Sequence, residues 1–455
     1  MVSVSGVRGI IGKTLTPQIA YAFGQAFGTM LTADGKPATK SVALGRDTRP
    51  HGSLVKNAVA AGLMSCGVDV ITLGVVTTPG AALMTRMLEC SGGVIITASH
   101  NPPPYNGIKF LQPTGVGLTA SQAAELKRLW EAGEFNTQEG TAVGKETTCE
   151  RTHSCHIESV KSITDVTGVA SQRFRVVVDS INGAGCVVTP QLLGELGCEV
   201  IHLNGEPTGE FAHEPEPIEP NLTGLCEAVR KHNAAIGFAQ DPDADRLVVV
   251  DEKGTFIGEE YTLALCAAFV LRHRQGKLAT NLATSRMIDD IAAQAGVDVL
   301  RSPTGEANVV DLMMREHCIF GGEGNGGVIE PRVVPVRDSL VGMAMLLQYL
   351  TETGQPLSAL VAEIPSYTLV KTKMPCPADA AGKVAQATRK AFADVEGATF
   401  NDADGLRVDL PDSWLCVRAS NTEPIMRIFA EAPQAQQAQE LVDRVQALAD
   451  EIVGR

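Results

Sequence analysis

Three aspartates in the run DPDADR, Asp241, Asp243 and Asp245, alternate along the chain. In an extended loop alternate side chains face one way, so three hard oxygen donors can converge on one divalent cation, and magnesium is the natural guest. Without a cation, three acids held between two apolar strands would repel one another. A calcium-sensing loop does not fit: Arg246 stands where the sixth position needs glycine, and strands replace the flanking helices. A second stretch, TASHNP from Thr97 to Pro102, follows the apolar run GGVII and presents Ser99 and His100 before prolines 102 to 104 forbid helix. A serine hydroxyl is a poor nucleophile unless a base or a metal assists it, and His100 and Lys109 are close enough in sequence to share its pocket.

Two further loops offer binding chemistry. GEGNGG, Gly322 to Gly327, satisfies GxGxxG in form, but VIEP follows, and Pro331 comes before any helix could offer its N-terminus to a pyrophosphate. What survives is a glycine-rich turn presenting Glu323 and Asn325, a carboxylate and an amide that suit vicinal hydroxyls. The loop RASNTEP offers Arg418, Ser420, Asn421 and Thr422, with Arg427 on the next strand. Hydroxyls, turn N–H groups and a guanidinium fork are what a phosphate dianion needs, although Ser-Asn-Thr alone is also ordinary turn chemistry. Near the start, GVRGIIGKT ends like a phosphate-binding P-loop, yet Val7 occupies the place of the required glycine and no strand leads in. That leaves Arg8 as a cation bracketed by glycines. Together, a nucleophile, a cation site, a polyol turn and an anion loop describe phosphoryl transfer on a sugar.

The elements that must position these loops come from a repeat. GVDVI at Gly67, GCEVI at Gly197 and GVDVL at Gly296 each follow a stretch of helical period, with the glycine where a helix C-cap belongs. Upstream lie strand-like runs beginning at Ser41, Arg175 and Ala279, so each unit reads strand, helix, strand with a parallel crossover. Downstream of each copy comes an apolar strand ending in one of the polar loops GVIITASHNP, AAIGFAQDPDADR and CIFGGEGNGG. After Ser366 the strands GLRVDL, SWLCVRASNTEP and IMRIFAEA precede a final helix. The expected fold is therefore three similar α/β domains, mixed sheets flanked by helices, plus a C-terminal α+β domain, around a central cleft. The expected boundaries are 1–152, 153–252, 253–365 and 366–455.

Composition narrows the partners. The chain has 455 residues, too many for one core. Its 52 acidic against 38 basic residues give a net charge of −14, which argues against nucleic acid or an anionic membrane as partner. No run approaches the length of a membrane span, MVSVSGVRGI is not an export signal, and eleven scattered cysteines fit a reducing compartment, so a cytoplasmic protein is expected. Cys149, His153, Cys155 and His156 match no common zinc spacing and are read as exposed linker residues.

TASHNPPPYNGIKF, DPDADR, GEGNGG and RASNTEPIMRI, in this order and spacing, resemble the α-D-phosphohexomutase superfamily across essentially the whole chain, most of all its phosphoglucosamine mutases. The resemblance implies that Ser99 is the phosphoserine and that Asp241, Asp243 and Asp245 hold one Mg²⁺ together with an oxygen of the serine phosphate. It implies that Glu323 and Asn325 grip sugar hydroxyls and that Arg418, Ser420, Asn421 and Thr422 hold the non-reacting phosphate, with Arg427 beside them. Arg8, His100, Lys109 and Arg246 then assist transfer, with either Lys109 or His100 as the base. A hexose 1,6-bisphosphate would be the activator, a hexose phosphate the substrate, and a monomer or homodimer the assembly. Glucosamine phosphate is the expected sugar; many members carry a serine and a histidine where this chain has Asn325 and Gly327, so a mutase of glucose or mannose phosphates is the alternative. More distant alternatives are a Mg²⁺-dependent sugar phosphatase and a non-catalytic sugar-phosphate binder.

Overall fold

The first helix, Pro17–Thr32, begins where Thr16 accepts a hydrogen bond from the Ile19 amide and Pro17 supplies a pre-set φ. Its apolar positions Ala20, Phe23 and Phe27 recur at helical spacing and are fully buried. Gly24 lets the helix Gly52–Ser65 cross closely, because a Cβ there would lie 2.4 Å from the Val59 carbonyl. The structure, a computed structural model, describes residues 2–3, 6–33, 40–419 and 425–454. It divides into two compact units, residues 1–269 with 325–361, and residues 270–324 with 362–455.

The first unit holds two mixed sheets. In one, the strand order is Val2–Ser3, Gly6–Ile10, Tyr105–Leu111, Gly92–Ile96, Lys40–Arg46, Val68–Val75, Glu146–Thr148. Lys40–Arg46 runs parallel to both neighbours, whereas Tyr105–Leu111 returns antiparallel to Gly92–Ile96. The other sheet repeats the plan with Leu247–Val250, Ile236–Gln240, Arg175–Asp179 and Glu199–Leu203, in which only Leu247–Val250 is antiparallel. A hairpin of Gly327–Glu330 and Val334–Arg337, followed by the buried helix Ser339–Thr353, belongs to the same unit.

In the second unit Val299–Ser302, Leu278–Asn281 and Phe320–Glu323 pair in parallel. An antiparallel sheet follows, ordered Thr368–Pro375, Ile425–Ala432, Trp414–Ala419, Leu406–Asp409, Thr399–Asn401. Val442, Val445 and Ala449 of the last helix, Ala435–Val453, share its core. The repeat read from the sequence is present: helices ending at Ser65, Glu195 and Ala295 stop near Gly67, Gly197 and Gly296, all at positive φ, and a parallel strand follows each. The strand Thr368–Pro375 and the helix Ala378–Phe392, which the sequence reading passed over, complete the last domain. None of the helices among the described residues is long and apolar enough to cross a membrane.

One expectation is corrected here. His156 does not lie in an exposed linker: it sits on the helix Thr152–Lys161, 1% exposed, with Nε2 2.7 Å from Asp338 Oδ2. The helix buries Thr152, His156, Ile157 and Val160, and of the four Cys and His residues of this segment His156 is the one that joins that buried face.

Candidate active site

Ser99 lies in the loop that turns the strand Gly92–Ile96 back into Tyr105–Leu111. Its φ of 50° is the left-handed conformation that a residue with a side chain rarely adopts, and the Thr97 hydroxyl accepts a hydrogen bond from its amide at 2.9 Å. The Ser99 hydroxyl, 2% exposed, donates to Asp241 Oδ2 at 2.8 Å, and His100 Nδ1 lies 3.4 Å from it. The turn is what aims the Ser99 hydroxyl at the aspartate loop.

Asp241, Asp243 and Asp245 are all fully buried, and one oxygen from each lies within 4.8 Å of the others. The loop holds its shape through the Asp245 and Arg246 amides, which both donate to Asp241 Oδ1 at 3.1 Å. Lys109 Nζ reaches Asp243 Oδ2 at 2.8 Å and Asp245 Oδ2 at 3.5 Å. Two partners were missed from sequence. Thr78 Oγ1 donates to Asp243 Oδ2 at 2.6 Å, and Arg337 Nη2 donates to Asp245 Oδ2 at 2.6 Å. Thr78 had a weak signal in the helix-start run TTPG, while nothing around Arg337 marks it.

Burial and the negative charges of Asp245 and Asp243 push the Asp241 carboxyl well above the usual carboxylate range. Burial acts the same way on Asp243 but is outweighed by the Lys109 ammonium and by hydrogen bonds from Asp241, Lys109 and Thr78, so this carboxyl is held below the usual range. Asp243 Oδ1 and Asp245 Oδ1 are buried with no hydrogen-bond partner among the described residues. Orphaned carboxylate oxygens at such a spacing fit a divalent cation that accepts oxygen ligands.

Arg8, on the strand Gly6–Ile10, donates to Asn101 Oδ1 at 3.0 Å and so touches the same loop as Ser99. Burial, reinforced by the positive charges of Arg246 and Arg8, lowers the His100 pKa to about 3, leaving a neutral imidazole. Asn325, in the same unit, keeps its buried Oδ1 without a hydrogen-bond partner among the described residues. Beside it, Gly326 donates no Cβ to a space where the Leu247 carbonyl stands 2.4 Å away, and its own carbonyl accepts from the Leu247 amide at 2.8 Å. Gly327 is likewise required, since a Cβ there would meet Arg337 Cδ at 2.1 Å. The glycine at this position makes room for the arginine that pairs with Asp245.

In the second unit Glu323 Oε1 accepts from Asn281 Nδ2 at 2.8 Å and from the Gly305 amide at 3.1 Å. The neighbouring Thr304 hydroxyl donates to Asp404 Oδ2, which also pairs with Arg418 Nε at 3.2 Å. Glu323 and Arg418 are thereby joined by a short polar chain through residues that sequence did not single out. Arg418 lies directly opposite Arg427, which in turn lies opposite Lys373, in three adjacent strands. Like charges at opposing positions of a sheet repel, so this row of cations suits a bound anion. Ser420, Asn421 and Thr422 fall outside the described residues.

Comparison with known proteins bears on the whole chain. Residues 2–137, 154–254 and 259–367 match, in order, the models for the alpha/beta/alpha domains I, II and III of phosphoglucomutase/phosphomannomutase, and residues 369–448 match the model for its C-terminal domain. The chain is 41% identical over 440 residues, 96% of each sequence, to a protein of Thermococcus kodakarensis named "Phosphoglucomutase/phosphomannomutase". It is 39% identical to one of Methanopyrus kandleri named "Probable phosphoglucosamine mutase", over 96% of this chain and 95% of that one. Among solved structures, a phosphoglucomutase/phosphomannomutase family protein of Burkholderia thailandensis superposes with a TM-score of 0.87 at 28% identity, covering 99% of this chain and 98% of the other.

Proposed function

Because the chain belongs to the phosphoglucomutase/phosphomannomutase family, we propose that it interconverts hexose 6-phosphate and hexose 1-phosphate, with glucosamine phosphate as its substrate. Transfer runs through a phosphorylated Ser99 and a bound hexose 1,6-bisphosphate. The observation that carries this reading is the Ser99 hydroxyl, held in a strained turn 2.8 Å from one of three buried carboxylates. A strained, buried nucleophile beside an acidic cluster is costly to maintain for folding alone.

Phosphoryl transfer asks for positioning and charge neutralisation more than for covalent chemistry. Asp241, Asp243 and Asp245 would hold Mg²⁺ with an oxygen of the serine phosphate, and the ion would supply charge neutralisation on the transferring oxygens. Arg8, bonded to Asn101, and Arg246, which follows the aspartates, place further positive charge beside Ser99. Lys109 already shares its protons with Asp243 and Asp245, so it balances those carboxylates and steadies the cluster. His100, whose Nδ1 faces the Ser99 hydroxyl at 3.4 Å, is a neutral hydrogen-bond partner for the reacting oxygens, and it or Lys109 moves the proton of the attacking sugar hydroxyl. Glu323 and Asn325 grip the sugar, and Arg418 with Arg427, Ser420, Asn421 and Thr422 holds the phosphate that does not react.

A second reading, a mutase of glucose or mannose phosphates, is favoured by the name of the relative at 41% identity. One experiment separates the two: kcat/KM for glucosamine, glucose and mannose phosphates, each with its bisphosphate activator, expressed as a ratio. A ratio favouring glucose or mannose phosphate overturns the glucosamine assignment. Net release of inorganic phosphate in place of isomer exchange would overturn the mutase reading itself.

A further inference from the structure

We propose that Arg49 is a positioning residue for phosphoryl transfer: its buried guanidinium shapes the Ser99 loop and ties it to the domain that carries the aspartates. The proposal rests on Ser99 being the phosphorylated nucleophile. Arg49 follows the strand Lys40–Arg46 in the run DTRP and is completely buried. A guanidinium has five N–H donors in a rigid fork. All five are used. Nε donates to Asp47 Oδ2 at 3.2 Å, Nη1 to the carbonyls of Pro102 and Tyr105 at 3.0 Å each, and Nη2 to the carbonyls of Ser99 at 2.7 Å and Asn101 at 2.6 Å.

Four carbonyls of one loop therefore turn toward a single cation. With the Ser99 and Asn101 carbonyls engaged in this way, the backbone of Ser99 is fixed in its left-handed conformation, and these oxygens are not offered to the anionic group that Ser99 would carry. Since every donor is spent on the protein, Arg49 has none left for substrate.

The same bracket reaches the second domain. Asp47 Oδ1 accepts from the Arg49 amide at 2.9 Å, fixing the fork, and the Phe211 ring covers the guanidinium with its centroid 4.9 Å away. Between them, Thr48 Oγ1 donates to the Asn182 carbonyl at 2.8 Å. Ile181 and Asn182 are both left-handed, at φ 46° and 54°, and two residues further on the Ala184 amide donates to the carbonyl of Pro242, inside DPDADR. A continuous run of bonded groups thus joins the serine loop to the aspartate loop. The contact between Ser99 and Asp241 spans two domains, and this run sets its register. A misplacement of about 1 Å at such a contact costs on the order of 10²-fold in rate.

The test is Arg49→Lys, which keeps the charge but cannot satisfy four carbonyls and a carboxylate at once. We expect kcat to fall about 100-fold with KM held within about threefold, and the rate at which Ser99 takes phosphate from glucose 1,6-bisphosphate, followed by intact mass, to fall by the same factor. A folded variant with near-wild-type kcat, a loss confined to KM, or an unchanged rate of Ser99 phosphorylation overturns the proposal. Should Arg49→Lys not fold, Asp47→Asn decides: it leaves the guanidinium in place but turns an acceptor of its fork into a donor. There kcat is expected to drop about tenfold with KM held, and an unchanged kcat overturns the role. A wild-type protein that never carries phosphate on Ser99 sinks the phosphoserine reading instead, so the two failures are distinguishable.

Discussion

Lys109→Met probes the acidic cluster most directly. The ammonium sits 2.8 Å from Asp243 and 3.5 Å from Asp245, both carboxylates fully buried, while the lysine side chain is 15% exposed. Removing one partner of a buried ion pair costs about 3–5 kcal/mol, and the residual exposure of the lysine argues for about 3 kcal/mol. In a domain assembly of this size each kcal/mol moves the midpoint by about 2–4 °C, so the metal-free variant should melt about 6–12 °C below wild type. The cluster would then carry one more uncompensated negative charge, which a divalent cation relieves. Mg²⁺ at about a hundred times its dissociation constant adds about 2.7 kcal/mol, and it should raise the variant's midpoint by more than it raises that of wild type. The assay is thermal unfolding after chelation and again with Mg²⁺ restored, alongside mutase activity. A metal-free variant melting with wild type, or an equal Mg²⁺ shift in both proteins, would refute the assignment of these aspartates as a cation site.

Ser99→Ala should abolish mutase turnover while sugar-phosphate binding, followed by calorimetry, stays close to wild type; near-normal turnover would end the phosphoserine reading. Gly327→Ala forces a Cβ against Arg337, so overpacking of about 1–3 kcal/mol should appear in denaturant titration together with weaker Mg²⁺ binding. Arg418→Ala removes a charge-assisted contact worth about 1.5–3 kcal/mol and should raise KM about 10- to 100-fold, read from initial rates. Burial pushes the His213 pKa down, but the hydrogen bond to Asp179 at 3.1 Å, the negative charge of that carboxylate and the bond to the Glu214 backbone together outweigh it, so the pKa is raised. A group whose folded pKa is raised stabilises fully below its unfolded pKa, near 6.5, and loses that contribution as pH rises through the folded value. His213→Gln should therefore lower stability in acid and leave it unchanged at alkaline pH, as measured by urea midpoints across the range.

Much of the chemistry was legible because it sits in runs whose residues are neighbours in sequence. DPDADR places its acids at alternate positions, and the loop geometry that brings them within 4.8 Å follows from that spacing. TASHNP announces a turn through its prolines, and the turn does aim Ser99. Gly67, Gly197 and Gly296 mark the repeat because a positive φ after a helix has a local cause. Where the reading failed, the cause was distant. His156 looked like linker until Asp338, 182 positions away, proved to be its partner. The helix Ala378–Phe392 is marked in sequence only by the period of its small and apolar residues and carries none of the loop chemistry that makes the other segments legible.

What the sequence determined by itself was which residue types stand together: short spacings place a serine turn, three alternating acids and a glycine-rich turn, since backbone geometry within a few residues is dictated by local sterics. What only the tertiary structure decided was which groups serve these residues. Thr78 and Arg337 on the aspartates, Asn281 on Glu323, Asp404 on Arg418 and Arg49 beneath Ser99 are brought in by strand pairing and helix packing across long separations. Hydrogen bonds and charges act through space at about 3 Å regardless of how far apart their residues lie along the chain, and no local pattern encodes that distance.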